Sequence, residues 1–294
     1  MGLWVYTKVM APLPAAPPLV LTIAGFDPTA GAGVLADIKA IAANQAYGLA
    51  CIAALTVQTT SGVQAYEAVS AKMLERQLEA LLSELSPRAV KIGMLGNRAN
   101  VEAVARQLEL HPLPWVVLDP VRQASLGTVL MDEGGWEALR KQLIPRVNVL
   151  TPNLDETEAL TGIRPTKPAE FEQAALKLSA MGPRYIIIKG GHAERPSDVL
   201  YDGEKFVTLT ADRVRTPNTH GTGCTFSAAL AANLANGKQV QDAVVMAKAY
   251  LTAALKQSYA IGPGPGPLNH LYRLQEAPTS RNVDPAPQPS YTTR

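Results

Sequence analysis

The stretch LVLTIAGFDPTAGAGVLADIKAIAANQ, residues 19–45, joins an apolar run to a glycine-rich turn and then to a helical pattern. Its first part, LVLTIAGF (19–26), has the length of a strand and is apolar almost throughout. Its last part, GVLADIKAIAANQ (33–45), has apolar residues at helical spacing. A strand that is apolar on both faces and leads into a helix is typical of a parallel sheet covered by helices. The stretch therefore predicts an α/β fold.

The same alternation continues along the chain. Further buried strands are predicted at 49–57, 89–95, 115–119, 147–151 and 185–190, and helices near 71–85, 98–109, 133–143, 154–161, 168–181, 223–236 and 240–258. The segment DVLYDGEKFVTLT (198–210) differs, because Asp202-Gly203 between two alternating runs predicts a hairpin. Together these elements predict a mostly parallel sheet with helices on both faces and an antiparallel hairpin at one edge.

Composition limits the classes of function and location. The 294 residues are 47% hydrophobic, which is enough for a large core. A net charge of +2 does not indicate binding to nucleic acid or to a membrane surface, and no apolar run reaches 18 residues. Cys51 and Cys224 are too few for a disulfide framework, which favours a reducing cytoplasm. We expect a disordered leader (1–18), one folded domain (19–275) and a disordered tail (276–294).

Glycine-rich and polar clusters follow several of the predicted strands. Because ligands of such sheets bind beyond the carboxyl ends of the strands, these clusters mark the expected site. They are GFDPTAGAG (25–33), TVQTTSG (56–62), IGML (92–95), LDP (118–120), TPNLDE (151–156) and KGGH (189–192). The first cluster could place an anion at the start of its helix, but by itself it is explained as well by an ordinary strand-to-helix turn.

The segment NTHGTGCT (218–225) enters a predicted helix. Gly221, Thr222 and Gly223 can present consecutive backbone N–H groups at a positive helix terminus, which suits a phosphate that gains charge during transfer. Cys224 lies in the first turn, where the same terminus is expected to lower the pKa of its thiol. The alternative is a small buried residue at a helix start, and that alternative is preferred for Cys51 in its apolar strand.

Two further clusters allow both a structural and a functional interpretation. Asn153 and Glu156 have the spacing of a capping box, and they also have the oxygen chemistry that holds Mg²⁺ through its waters. Lys189 and His192 end the apolar strand YIIIKG (185–190), where a lysine points either to solvent or into a cavity at the strand end.

Taken together, the motifs resemble those of the hydroxymethylpyrimidine and phosphomethylpyrimidine kinases of thiamin biosynthesis, within the ribokinase-like superfamily. The resemblance extends from about residue 19 to about residue 272. It is carried, in the family's order, by LTIAGFDPTAGAGVLADIKA, AYGLACIAALTVQTTSGV, KIGML, LDPV, LTPNLDETEAL, IIIKGGH, TPNTHGTGCTFSAALAANLANG and GPGPLNH. It implies a ribokinase-like three-layer sandwich and phosphoryl transfer from MgATP, first to the pyrimidine's hydroxymethyl group and then to the monophosphate.

The resemblance also implies roles for individual residues. Gly221, Thr222 and Gly223 would form the anion hole, and Cys224 would take or share the proton of the attacking hydroxyl. Lys189 would lie near the nucleotide phosphates. Asn153 and Glu156 would hold Mg²⁺ through its waters. Asn153 and Thr222 would also contact the nucleotide. The pyrimidine pocket would be formed by Asp27, Thr56, Gln58, Met94, Val121 and His220.

The chain departs from the family pattern at a few positions. Ala30 stands where a glycine is usual, which is a mild change unless the position requires a positive φ. Thr56 stands where valine is usual, and the loop after LDPV carries Arg122, Ser125, Leu126 and Thr128 in place of the usual residues. These departures keep two alternatives open, namely a kinase for pyridoxal-type or other hydroxymethyl heterocycles and a non-catalytic pyrimidine-binding protein. A homodimer is expected from the superfamily.

Overall fold

The computed structural model describes residues 15–124, 126–190 and 197–274. One nine-stranded sheet has the order β3-β2-β1-β4-β5-β6-β7-β8-β9. Its strands are β1 (Leu19–Phe26), β2 (Tyr47–Thr59), β3 (Gly62–Ala68), β4 (Ala89–Ile92), β5 (Trp115–Leu118), β6 (Val149–Leu150), β7 (Tyr185–Ile188), β8 (Ser197–Tyr201) and β9 (Phe206–Thr210). The neighbours from β2 to β7 pair in parallel, whereas β3, β8 and β9 pair antiparallel to their neighbours.

Eight helices cover the two faces of this sheet in the described ranges. They are α1 (Gly33–Ala43), α2 (Ala71–Leu82), α3 (Arg98–Leu110), α4 (Glu133–Ala138), α5 (Leu154–Thr161), α6 (Pro168–Ser179), α7 (Thr222–Ala235) and α8 (Val240–Lys256). Helix α4 continues through a π-helical turn and a 3-10 turn to Arg146. No helix in these ranges has the length and apolar character needed to cross a membrane.

The core has one layer on each face of the sheet. Along β1, Leu21 and Ile23 face the layer that contains Leu74 and Leu78 of α2, while Val20 faces the layer formed with α7 and α8. This division follows from the two-residue side-chain period of a strand. The predicted α/β three-layer sandwich with a mostly parallel sheet is therefore confirmed, as is the edge hairpin at Asp202-Gly203.

The prediction was wrong about the second strand. The second strand was predicted to end at residue 57, and no strand was predicted directly after it. In the structure β2 continues to Thr59 and turns back as β3, which gives the sheet a second antiparallel edge. Alternation in this part is polar on one face and apolar on the other, with Leu55 and Val57 each more than half exposed. Because apolar and polar residues alternate here, the segment lacks the continuous apolar run by which the other strands were predicted, and the end of β2 and the whole of β3 were missed. The predicted leader and tail lie mostly outside the described residues.

Ala30 lies in the loop between β1 and α1, where its backbone conformation is strained. Ala30 has φ 57°, in the left-handed region that favours glycine, and its N–H donates to the Asp27 carbonyl oxygen at 2.9 Å. Lys39 of α1 donates to the Ala30 carbonyl oxygen at 2.5 Å and so holds the turn in place. The position does require a positive φ, so the replacement of the usual glycine by alanine introduces local strain.

We predict that Ala30→Gly increases the free energy of unfolding. Relief of left-handed strain contributes about 1–2 kcal/mol, and the greater chain entropy of glycine offsets about 0.5–1 kcal/mol of it. The expected net gain is about 0.5–1 kcal/mol, measured by urea unfolding. As a matched control, Ala80→Gly at an exposed position of α2 should lose about 1 kcal/mol. Equal losses in both variants would contradict the strained turn.

Candidate active site

Asp27, immediately after β1, is the centre of a hydrogen-bond cluster. Its carboxylate accepts from the Thr29 hydroxyl and N–H and from the Ala32 N–H, and it contacts His220 Nε2 at 2.7 Å. Burial alone would raise the pKa of Asp27, but the hydrogen bonds from His220, Thr29 and Ala32 outweigh it and hold the pKa below its ordinary value. The cluster fixes the β1–α1 loop against the loop that precedes α7.

Two glycines allow these loops to approach each other. A Cβ atom at Gly31 would overlap the His220 ring, and one at Gly221 would overlap the Gly31 carbonyl oxygen. Gly221 also has φ 82° and is the N-cap of α7. Glycine is therefore required at both positions for close backbone approach, and at Gly221 for backbone conformation as well.

Strand β2 supplies a polar wall beside His220. Gln58 Nε2 lies 3.1 Å from His220 Nε2, and the Thr56 hydroxyl lies 3.2 Å from Gln58 Oε1 while donating to the Phe26 carbonyl oxygen at 3.0 Å. The predicted second strand, 49–57, included Thr56 but not Gln58, and both residues lie on the paired strand β2. A strand holds the Gln58 amide more rigidly than a loop, and the amide can donate to and accept from a ligand at once.

An apolar wall lies next to these polar groups. Met94 and Val121 pack in one small cluster, whose other members are Ala54, Val63, Tyr66, Ala124 and Leu130. The Met94 sulfur fills the space above Gly25, where a Cβ would come within 2.9 Å of it. Close contacts thus link four residues of the pocket implied by the resemblance, namely Asp27, Thr56, Gln58 and His220. Met94 and Val121 lie in an apolar cluster that includes Ala54, two residues before Thr56 on β2.

Lys189 and Asp119 lie at the start of α7. The Lys189 ammonium pairs with Asp119 Oδ1 at 2.5 Å, and a Cβ at Gly223 would lie 3.4 Å from the Lys189 nitrogen and 3.5 Å from Asp119 Oδ2. Burial alone would lower the pKa of Lys189, but Asp119 and Glu156 outweigh it and keep the pKa above its ordinary value. Lys189 is therefore a fixed cation facing the first N–H groups of α7, which have no intrahelical acceptors.

Asp119 is a residue that sequence reasoning did not select. It is almost fully buried and lies within hydrogen-bonding reach of the Thr151 hydroxyl at 3.4 Å and the Ser227 hydroxyl at 3.5 Å, in addition to Lys189. The signal was present in the sequence, because an aspartate directly after the apolar strand WVVL must lie at the carboxyl end of the sheet.

Asn153 and Glu156 form a complete capping box at the start of α5. The Asn153 N–H donates to Glu156 Oε2 at 2.8 Å, and the Glu156 N–H donates to Asn153 Oδ1 at 2.8 Å. Burial raises the pKa of Glu156 to about 8, with Lys189 opposing the rise and Asp119 adding to it. The structural interpretation of this motif is confirmed, and its carboxyl group also lies in the electrostatic field of Lys189 and Asp119.

The prediction for the Cys224 thiol was wrong. Burial raises the pKa of Cys224, and although the charge of Lys91 and a hydrogen bond from the Gly33 backbone lower it, they do not compensate. Asp37 and Asp119 add to the rise. The helix terminus alone does not decide the ionisation, because desolvation and nearby carboxylates are larger effects. Cys51 is fully buried as expected, and burial raises its pKa to about 12.

In the loop after β5, which departs from the family pattern, Arg122 contacts two residues of α4. Arg122 pairs with Glu133 at 2.6 Å and lies over the Trp136 ring, 5.4 Å from its centre. Its guanidinium is thus held by the start of α4. Ser125 and His192 lie outside the described residues, so their predicted places stay predictions.

In this mostly parallel sheet, the strand ends face one helix start that is bordered by glycines, with a largely buried lysine and carboxylates beside it. This arrangement defines a ribokinase-like small-molecule kinase. The chain belongs to the phosphomethylpyrimidine kinase family, whose model matches residues 27–269. It is accordingly an enzyme of this kinase class, which sets aside the non-catalytic alternative.

Relatives and solved structures agree with this assignment. The chain is 43% identical to the hydroxymethylpyrimidine/phosphomethylpyrimidine kinase of Haemophilus influenzae over 258 residues, which are 85% of this chain and 96% of that protein. Among solved structures, the ADP complex of Bacillus subtilis pyridoxal kinase has a TM-score of 0.81 at 35% identity and covers 88% of this chain and 100% of that one. Clostridium difficile phosphomethylpyrimidine kinase has a TM-score of 0.73 at 34% identity, covering 81% and 100%.

We predict that Glu156→Gln makes the protein progressively more stable than the wild type as pH rises. A carboxyl group whose folded pKa is about 8 binds more protons when folded than when unfolded between about pH 5 and 8, so it costs stability as pH rises through that range. Glutamine keeps the capping acceptor without the charge. The gain should approach about 2–4 kcal/mol at pH 9 and vanish near pH 5.

The measurement is urea unfolding of both proteins in EDTA from pH 5 to pH 9. Asp155→Asn is the matched control, because Asp155 is an exposed carboxylate one residue away. Its difference from the wild type should change little with pH. A pH-independent difference for Glu156→Gln would contradict the raised pKa.

Proposed function

We propose that this protein transfers the γ-phosphoryl group of MgATP to 4-amino-5-hydroxymethyl-2-methylpyrimidine and then to the resulting monophosphate. The observation that carries the proposal is the placement of His220 directly before Gly221. The polar wall for a ring and the helix terminus for a phosphoryl group are thereby parts of one continuous turn. A ring held by the wall presents its hydroxymethyl group to the first turn of α7.

The pocket has the chemistry to recognise an aminopyrimidine. The Gln58 amide can pair with an amino group and a ring nitrogen, because it both donates and accepts. Asp27, through His220, fixes the orientation of the polar side of the pocket. Met94 and Val121 pack against the ring face, and Thr56 orients Gln58.

The α7 terminus has the chemistry to stabilise the transferred group. The N–H groups of the Gly221, Thr222 and Gly223 turn face the charge that develops on the phosphoryl oxygens, and Lys189 adds a fixed positive charge. Cys224, in the same turn, shares the proton of the attacking hydroxyl. A loose transition state requires positioning and charge stabilisation more than a strong base.

The carboxyl ends of the strands offer oxygen ligands that suit Mg²⁺. Asn153 and Glu156 supply an amide and a carboxylate oxygen, both already engaged in the capping box. In the described ranges no three acidic, histidine or cysteine side chains come together as a metal cluster. Because Mg²⁺ commonly keeps several of its waters, we expect these oxygens to hold it through water. When bound, the ion would neutralise charge on the nucleotide phosphates.

A groove between β9 and α8 suits the adenine of ATP. It has a volume of about 370 Å³ and its apolar lining comes from Leu209, Val245, Ala249 and Ala253. Contacts connect it to the phosphate end of the site, because Lys248 on its edge pairs with Asp198 at 2.6 Å, and Asp198 accepts from the Gly190 N–H at 3.0 Å. Gly190 follows Lys189. Structures of Staphylococcus aureus pyridoxal kinase contain ADP or AMP-PCP, which supports ATP as donor.

Pyridoxal is the second candidate substrate. Pyridoxal kinases of Bacillus subtilis and Staphylococcus aureus share the fold at 35% identity, and pyridoxal also carries a hydroxymethyl group on an aromatic ring. The pyrimidine is preferred because the curated relatives with about 40% identity over most of this chain are named for it. The availability of ATP and the free thiols Cys51 and Cys224 favour the cytoplasm as the location.

The first experiment is incubation of the purified protein with MgATP and the hydroxymethylpyrimidine, followed by mass spectrometry of the mono- and diphosphate. We expect the diphosphate. Cys224→Ser should form product at least about tenfold more slowly, because a serine hydroxyl is a much weaker acid than a thiol. Equal rates would point to a contaminating kinase or to a Cys224 without a role.

Monophosphate alone would show that the second step is absent and would implicate the altered loop around Arg122. Product with pyridoxal only, under the same conditions, would replace the pyrimidine by the second candidate.

We further propose that the protein forms a homodimer through the edge formed by β2 and β3. Leu55 and Val57 of β2 are exposed there, and Leu126 and Val129 of the loop after β5 are exposed as well, with Leu126 close to Gly62 of β3. Exposed apolar side chains at a sheet edge suit an interface with a second copy, and a symmetric pair is the commonest arrangement. In sedimentation velocity the wild type should have twice the mass of one chain, and Val57→Asp should shift it towards the monomer. A monomeric wild type would contradict the proposal.

A further inference from the structure

His220 Nε2 lies between two polar groups of the candidate pocket. It is 2.7 Å from Asp27 Oδ2 and 3.1 Å from Gln58 Nε2. Burial of Asp27 opposes its ionisation, but hydrogen bonds from His220, Thr29 and the Ala32 N–H outweigh burial and hold the pKa of Asp27 below its ordinary value. An ionised carboxylate can only accept a hydrogen bond, so His220 Nε2 carries a hydrogen and is a donor.

The Thr56 hydroxyl has one hydrogen and two neighbours. Its oxygen lies 3.0 Å from the Phe26 carbonyl oxygen and 3.2 Å from the Gln58 amide. A backbone carbonyl oxygen can only accept, and it is also the nearer of the two neighbours. When the hydroxyl donates to Phe26, the Thr56 oxygen is left as an acceptor towards Gln58.

His220 and Thr56 together decide the direction of the Gln58 amide. The amide nitrogen donates and the amide oxygen accepts, and a half-turn about the last side-chain bond exchanges their positions. With the nitrogen towards His220, two N–H donors face each other across 3.1 Å. With the oxygen towards His220 and the nitrogen towards Thr56, every contact joins a donor to an acceptor. The second direction is favoured, because Thr56 and Gln58 are half-buried and an unmatched polar contact there is costly.

The two ends of the amide lie at different distances along the chain from helix α7. The oxygen end is beside His220, and the next residue, Gly221, is the N-cap of α7. The nitrogen end is beside Thr56, two residues back along β2. A substrate ring whose hydroxymethyl group points to the first turn of α7 therefore meets the acceptor beside that group and the donor one position further away.

We propose that Thr56 is a positioning residue that fixes the direction of the Gln58 amide. The fixed amide selects a ring with a hydrogen-bond donor beside its hydroxymethyl group and an acceptor at the following ring position. This inference rests on the proposed function, which places the hydroxymethyl group at α7. The amino group and the adjacent ring nitrogen of the aminopyrimidine have this order. Pyridoxal has an aldehyde oxygen beside its hydroxymethyl group, which is an acceptor, so the same amide disfavours pyridoxal.

The hydroxyl of Thr56 is the part of this device that valine lacks. Valine, which is usual in the family at this position, has nearly the same shape but cannot accept a hydrogen bond from the Gln58 nitrogen. In a Thr56→Val variant only His220 would hold the amide, and a half-turn of the amide towards a ring with the opposite order would cost less. The variant therefore separates the direction of the amide from its presence.

The test is isothermal titration calorimetry with two rings, without nucleotide. One ring is 4-amino-5-hydroxymethyl-2-methylpyrimidine. The other is its 4-oxo analogue, in which an oxo group replaces the amino group and the adjacent ring nitrogen carries a hydrogen, so donor and acceptor exchange places at nearly constant size. The variants are Thr56→Val and Thr56→Ser, which keeps the hydroxyl. Thr59→Val is the matched control, because Thr59 lies on the same strand with its side chain exposed.

We expect the wild type to bind the amino ring more tightly than the oxo ring. Thr56→Val should reduce the ratio of the two dissociation constants at least about fivefold, because a hydrogen bond that holds the amide in one direction is lost. Thr56→Ser and Thr59→Val should keep the wild-type ratio. A merely structural role predicts weaker binding of both rings by Thr56→Val with an unchanged ratio. That outcome, or a wild type without preference for the amino ring, would overturn the proposal.

The kinase assay is a separate measurement. A wild type that prefers the amino ring in calorimetry but does not phosphorylate it would refute the proposed function and leave the role of Thr56 intact. Phosphorylation of the amino ring, with an unchanged ratio of dissociation constants in Thr56→Val, would do the reverse.

Discussion

The site depends on the close contact between the loop after β1 and the turn before α7. Gly31 and Gly221 have no side chains that would keep these backbones apart, and the Asp27–His220 interaction at 2.7 Å fixes them together. Through His220 the contact reaches Gln58 on β2, and through Gly221 it sets the direction of α7. The contact between these two loops therefore positions both the polar wall on β2 and the N-terminus of α7.

Charge at the carboxyl ends of the strands is arranged in two ion pairs. Lys91 with Asp37 is fully buried, and Lys189 with Asp119 is largely buried. Each pair is close to neutral as a unit, which makes its burial tolerable, while each ammonium still acts on groups beyond its partner. Burial dominates the ionisation of Cys224 and Glu156, and the neighbouring lysines oppose it. This enclosed arrangement suits a reaction that moves charge rather than one that needs a strong base.

The accuracy of the sequence-based predictions varied with the kind of pattern. Strand β1 and helix α5 were predicted at their observed bounds, because a wholly apolar run and a capping box are local signals. Hairpin β2–β3 was missed, since Thr56 and Gln58 alternate with exposed apolar residues and do not form a buried apolar run. Asp119 was given no individual role, although the LDP cluster (118–120) after a buried strand marked its position. The sequence left open whether position 30 requires a positive φ, and the structure shows a positive φ at Ala30.

The sequence by itself determined the fold class and the family resemblance, and it proposed most residues of the candidate site, because hydrophobic periodicity and glycine-rich motifs are local properties of the chain. Only the tertiary structure decided which charges meet. Lys91 and Asp37 are 54 residues apart, and Lys189 and Asp119 are 70 apart, so no local pattern links them. The ionisation of Cys224 depends on these distant partners and on burial, and the helix terminus that the sequence reveals is only one contribution to it.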